Sequence, residues 1–172
     1  NVTDEQLAPY IKDGGVPNQA DLVFGPAGDG EIIKSEIPTV TPPIEKPVIN
    51  KDVEGQEHLD LANRNDKFNW NIRVQFGNDT ASWEQAVIQD EINELLEIVD
   101  TVKVVDAKGQ DVTSNGTLEV NGNLVKFTLN KKEDSFAYLA GQTYKVIVTT
   151  KIRDNVTDEQ LAPYIKDGGV PN

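Results

Sequence analysis

Three polar residues fall where strand alternation turns them toward an apolar layer. In Val48-Ile-Asn-Lys-Asp-Val53, Lys51 shares its face with Ile49 and Val53. In Ala86-Val-Ile-Gln-Asp90, Asp90 shares its face with Ala86 and Ile88. In Val16-Pro-Asn-Gln-Ala-Asp-Leu-Val-Phe24, read as one strand, Asn18 falls with Val16, Ala20, Leu22 and Phe24. Burying an isolated ammonium or carboxylate is costly, so such groups pair or neutralise. A neutral amine is a nucleophile, a neutral carboxylic acid donates a proton, and a carboxamide is an electrophile whose leaving group is ammonia. Held in contact, the three could form one Lys–Asn isopeptide bond, with proximity as the main accelerator. The plainer alternative is an ordinary Lys51–Asp90 ion pair at the rim of the layer. Parity leaves both open.

The Val-Pro-Asn of this set occurs twice, because residues 1–18 recur letter for letter as residues 155–172. The chain is therefore either a slice through a tandem array or an engineered permutation with an overlap, and its natural unit is about 154 residues. Units of this kind stack or string end to end and provide reach or multivalency rather than turnover.

The elements that must position these residues read mostly as short strands. Phe68, Trp70, Ile72, Val74 and Phe76 alternate with polar residues along 68–76, and residues 101–105, 124–129 and 144–152 read as further strands. Turn chemistry at Lys108-Gly109, Asn115-Gly116, Asn121-Gly122 and Ala140-Gly141 separates them. Glu91 to Val99 places Ile92, Leu95, Leu96 and Val99 on one helical stripe. Thr157-Asp-Glu-Gln160 is a capping box opening a second short helix that Pro163 helps to end, and Thr3 opens the same helix in the first copy. Many short strands at this spacing predict an all-β, Ig-like β-sandwich with one or two short helices. Ile37 to Pro43 holds three prolines in seven residues and reads as an extended linker. Residues 1–43 are thus expected to be the closing strands of one repeat plus a linker, and 44–172 the main sandwich.

Composition narrows the function. A net charge of −13 argues against nucleic acid and anionic membrane surfaces as partners. No stretch of eighteen apolar residues and no signal peptide is present, so no membrane span is expected. The absence of Cys excludes disulfides and zinc–thiolate sites, and the absence of Met is expected of a piece lacking its natural start. A Cys-free extracellular domain needs another staple. His58 is the sole histidine and reads as a surface loop residue, Asp66, Asp79 and Asp111 lack calcium-loop spacing, and no metal or cofactor is expected. Gly25 to Gly30 reads as a hairpin loop, Glu94 and Glu97 as helix-surface acids, and Asn78-Asp-Thr80 as a sequon of little weight. Trp83 has no assigned place.

Four segments resemble the isopeptide-forming domains of fimbrial subunits and cell-wall-anchored adhesins of Gram-positive bacteria. They are Lys46 to Gly55, Val87 to Glu97, Tyr138 to Tyr144 and Val16 to Ala20. The resemblance implies that Lys51 is the amine, Asp90 the catalytic acid and base, and the Asn of Val-Pro-Asn the acceptor. It also implies an extracellular, cell-wall-anchored stalk or spacer repeat, and no enzyme beyond a single autocatalytic turnover. The linker from Pro38 to Pro47 has ten residues, a reach of about 35 Å when extended. On that reach Asn172 is the expected partner of Lys51 and Asn18 the alternative. Neighbouring repeats are the expected partners, with residues 19–41 of a neighbour able to add as strands. A module that binds a host protein or glycan is the alternative function, and a hydrolase lacks any constellation.

Overall fold

The computed structural model describes all 172 residues. Its N-terminal segment holds helix α1 (Asp4–Lys12), then β1 (Val16–Pro17), β2 (Asp21–Phe24), β3 (Glu31–Lys34) and β4 (Thr39–Val40). The sandwich follows with β5 (Val48–Val53), β6 (Phe68–Gln75), β7 (Val87–Glu91), β8 (Leu96–Ile98) and β9 (Lys103–Asp106). It closes with β10 (Gly116–Asn121), β11 (Leu124–Leu129), β12 (Thr143–Ile152) and helix α2 (Asp158–Lys166).

Two sheets make the sandwich. One runs β5-β6-β12, with β8 and β9 pairing to different stretches of β12; the other runs β10-β11-β7. Alternation explains the core. Along β6 every second residue from Phe68 to Val74 turns inward, with Trp70 half-buried and the others buried. Tyr144, Val146 and Val148 of β12 meet Val125, Phe127 and Leu129 of β11 in one apolar cluster. Trp83 finds its place here, its ring 6.2 Å from that of Phe76. The all-β sandwich with two short helices matches the expected class.

Three local expectations are corrected. Glu91 to Val99 forms no helix: β7 runs to Glu91, Asn93 turns the chain, and β8 pairs with β12. A helix of nine residues is marginal without packing, and the Asn93 side chain captures the Leu95 N–H at 3.0 Å, competing with helical bonds. Glu94 and Glu97 therefore lie on no helix, and Glu97 pairs with Lys151 at 3.2 Å. Val16 to Phe24 is not one strand, because β1 pairs with β4 while β2 pairs with β3. Pro17, lacking an N–H, sits where the first pairing stops. Pro163 lies inside α2, which runs on to Lys166 and is followed by Gly168 and Gly169, at φ +94° and +124°.

The duplicated helix buries a different face in each copy. Both copies begin with a complete capping box, Thr3 with Gln6 and Thr157 with Gln160. In α1, Ala8 and Ile11 are buried, with Ala8 against Ala81 and Ala140 at one pole of the sandwich. In α2, Leu161 is buried with Leu95 and Val156, while Ile165 is 77% exposed.

Asn78 ties the linker to that pole. Its buried side chain accepts from the Glu45 N–H at 2.8 Å and donates to the Pro43 carbonyl at 2.7 Å. Asn78→Ala leaves both backbone groups without this partner and is expected to cost about 2 kcal/mol. Urea unfolding checks the loss, and amide exchange at Glu45 should speed up with it. An unchanged midpoint would show that the clamp contributes nothing.

Candidate functional site

Lys51 and Asp90 meet across the two sheets. Residue pairing sets Lys51 of β5 opposite Ile72 of β6, and Asp90 of β7 opposite Val125 of β11. β5 and β7 are the edge strands of their sheets, so the two side chains close over the gap between edges. Lys51 Nζ donates to Asp90 Oδ2 at 2.6 Å. The side chains keep 23% and 15% of their exposure, so the pair lies at the margin of the core rather than deep within it. On the same face of β5, Val53 is 4% exposed but Ile49 is 63% exposed, so alternation held at only one end of that strand. The Trp70 ring lies beneath Lys51, its centroid 5.3 Å from Nζ. Trp70 is itself fixed by a 3.1 Å bond from its indole N–H to Thr150 Oγ1.

Asn172 lies at the far end of β7. Its Oδ1 accepts from the Asn93 backbone N–H at 2.9 Å, and the Asn93 amide donates to the Pro171 carbonyl at 3.0 Å. Asn172 Nδ2 is buried without a hydrogen-bond partner. An N–H aimed at a carboxamide oxygen polarises the carbonyl and can stabilise the oxyanion that forms on attack. Lys51 and Asn172 make no hydrogen bond to each other.

What aims Asn93 is a set of contacts distant in sequence. Asn123 Nδ2 donates to the carbonyls of Ile92, Asn93 and Leu96 at 3.0, 2.9 and 3.1 Å. Arg153 in turn holds Asn123 Oδ1 at 2.8 Å. Asn121-Gly122 was legible as a turn, but these bonds cross about thirty residues and leave no local pattern. Asn18 lies elsewhere, exposed, with its N–H on the Pro38 carbonyl at 3.1 Å. His58 pairs with Asp60 at 2.9 Å. Beside Asn172 opens a cavity of about 680 Å³ whose apolar walls include Val53, Leu59, Phe68, Trp70 and Leu161.

The family model of the cell surface antigen I/II C2 terminal domain matches residues 45–164. Platelet adherence protein A of Streptococcus gordonii is 32% identical over 173 residues, covering 96% of this chain and 4% of that protein. Among solved structures, BcpA, the major pilin subunit of Bacillus cereus, is similar with a TM-score of 0.57 and 21% identity. That likeness covers 81% of this chain and 39% of the pilin, and it speaks for the fold alone.

Proposed function

This chain belongs to the family of the cell surface antigen I/II C2 terminal domain, and from that membership we propose that it is a stalk repeat of a bacterial surface adhesin or pilus-like fibre, stapled by a Lys51–Asn172 isopeptide bond. The carrying observation is the 2.6 Å Lys51–Asp90 contact, with the Asn172 carboxamide held by the Asn93 N–H at the end of the same strand. Asp90 takes a proton from the Lys51 ammonium, and the freed amine attacks Asn172 Cγ. The Asn93 N–H supports the oxyanion while Asp90 returns that proton to the leaving nitrogen and then takes the second Nζ proton, ending protonated as the amide forms. The Nζ–Cγ bond forms, the Cγ–Nδ2 bond breaks, and one ammonia departs with no external reagent. A covalent staple of this kind fits a Cys-free chain meant to bear load at a cell surface, and anchorage to the cell wall belongs to the same proposal.

Substitution of each Asn in turn tests the partner. Asn172→Ala is expected to abolish the mass deficit of about 17 Da that loss of ammonia leaves, and Asn18→Ala to keep it. The reverse result, or covalent ladders on a denaturing gel that only Asn18→Ala removes, would assign the bond to the first copy. A second reading, a module that holds a host protein or glycan, draws on the relative named for platelet adherence. Retention of platelets on the immobilised chain would add that role to the structural one.

A further inference from the structure

The turn between β7 and β8 is held by two side chains that take no part in the proton transfers above. Its Asn93 N–H is the donor to Asn172 Oδ1, so the aim of that bond depends on how the turn is fixed. Asn123 fixes it from inside. Its amide nitrogen draws the carbonyls of Ile92, Asn93 and Leu96 to one point, and its own backbone carbonyl accepts from the Ile92 N–H at 2.9 Å. Arg153, just past β12, fixes Asn123 in turn. Its Nη2 donates to Asn123 Oδ1 at 2.8 Å, its Nε to the Glu94 carbonyl at 2.8 Å, and its backbone N–H to the Leu95 carbonyl at 3.0 Å. A guanidinium only donates, so it also dictates which end of the Asn123 carboxamide is oxygen and which nitrogen faces the turn.

One donor of this turn points outward, and it points at the reacting carboxamide. Asn172 Nδ2, the leaving nitrogen, is buried with no hydrogen-bond partner, so the Asn172 carboxamide is held from its oxygen side. A donor fixed before charge develops on that oxygen needs no reorganisation when it does, and small losses of alignment slow such reactions steeply. We infer that Asn123 and Arg153 are positioning residues for isopeptide formation, acting by keeping the Asn93 N–H aimed at Asn172 Oδ1. Neither hydrogen-bonds Lys51, Asp90 or Asn172. The inference rests on the Lys51–Asn172 reading and extends it from the residues that exchange protons and bonds to those that set the rate from behind.

Cell-free synthesis of the full chain, quenched into acid denaturant at intervals and weighed, gives the rate at which the deficit of about 17 Da appears. Asn123→Ala is expected to slow it by about tenfold or more. Arg153→Lys, which exchanges a planar fork for a single ammonium, should slow it by about threefold or more and serves where Asn123→Ala does not fold. Asn78→Ala controls for lost stability. Gln75 and Leu96 pair with Thr143 and Ile152 at opposite ends of β12, so Asn78 and the Asn93 turn lie at opposite poles. Its rate should stay within about twofold of wild type, as expected of distant sites. An ester in place of the Asn93 amide, introduced during synthesis as the α-hydroxy analogue of Asn, removes the N–H itself. On that background Asn123→Ala should slow the reaction by less than about twofold more. A wild-type chain that keeps its full mass overturns the isopeptide reading and this role with it. A wild-type chain that loses ammonia, beside Asn123→Ala and Arg153→Lys chains that lose it as fast, overturns the positioning role alone. So does a slowing that Asn78→Ala reproduces, or one that persists in full on the ester.

Discussion

Asp90→Ala is expected to melt roughly 10 °C below the wild-type chain and to lose much of its resistance to protease. A Lys51–Asn172 bond closes a loop of 121 residues (172 − 51), and a cross-link over a loop of that length stabilises by roughly 4 kcal/mol, chiefly by restricting the unfolded chain. At this chain length each kcal/mol is worth about 2–4 °C. The ion pair lost alongside is a smaller matter, because both side chains retain solvent contact and such pairs contribute about 1 kcal/mol or less. Lys51→Arg separates the two effects, since a guanidinium keeps the charge opposite Asp90 yet stays protonated and forms no amide. Equal losses in both variants assign the stability to the covalent bond. A Lys51→Arg chain that melts with the wild type would assign it to the ion pair.

Phe127→Ala should be nearly as damaging, through packing alone. Phe127 is 0% exposed at the middle of β11, the central strand of the smaller sheet. Its ring lies so close to Gly116 that a Cβ there would come within 2.6 Å of it. Removing the ring leaves a cavity between strands held by ladders on both sides, so the site collapses poorly. The expected cost is about 3–5 kcal/mol, read from the urea midpoint, with the mass of the denatured chain unchanged. A loss under about 1 kcal/mol would mean that the two sheets do not meet at Phe127 as described.

Much of this fold was legible because period-2 alternation is a local signal. β5 and β11 fall on the residues that alternation marked, and β6 and β12 lie within one residue of them at each end. The failures came where tertiary contacts decide. Ile92, Leu95 and Leu96 are buried as their helical stripe implied, yet by a strand, a turn clamped by Asn123 and a second strand. Parity alone turns Asn18 inward, but β1 and β2 belong to different pairs and it is exposed. Lys51 and Asp90 were legible as a pair because each sits on a strand with a readable inward face. The Asn93 N–H that holds Asn172 was not, since a backbone donor has no signature in side-chain pattern.

Intact-mass spectrometry of the denatured, purified chain tests the staple most directly. A Lys51–Asn172 bond removes one ammonia, so the account predicts a mass about 17 Da below that of the sequence. Digestion should then yield a branched peptide joining Lys51 to Asn172. A folded wild-type chain with the full sequence mass would contradict the account.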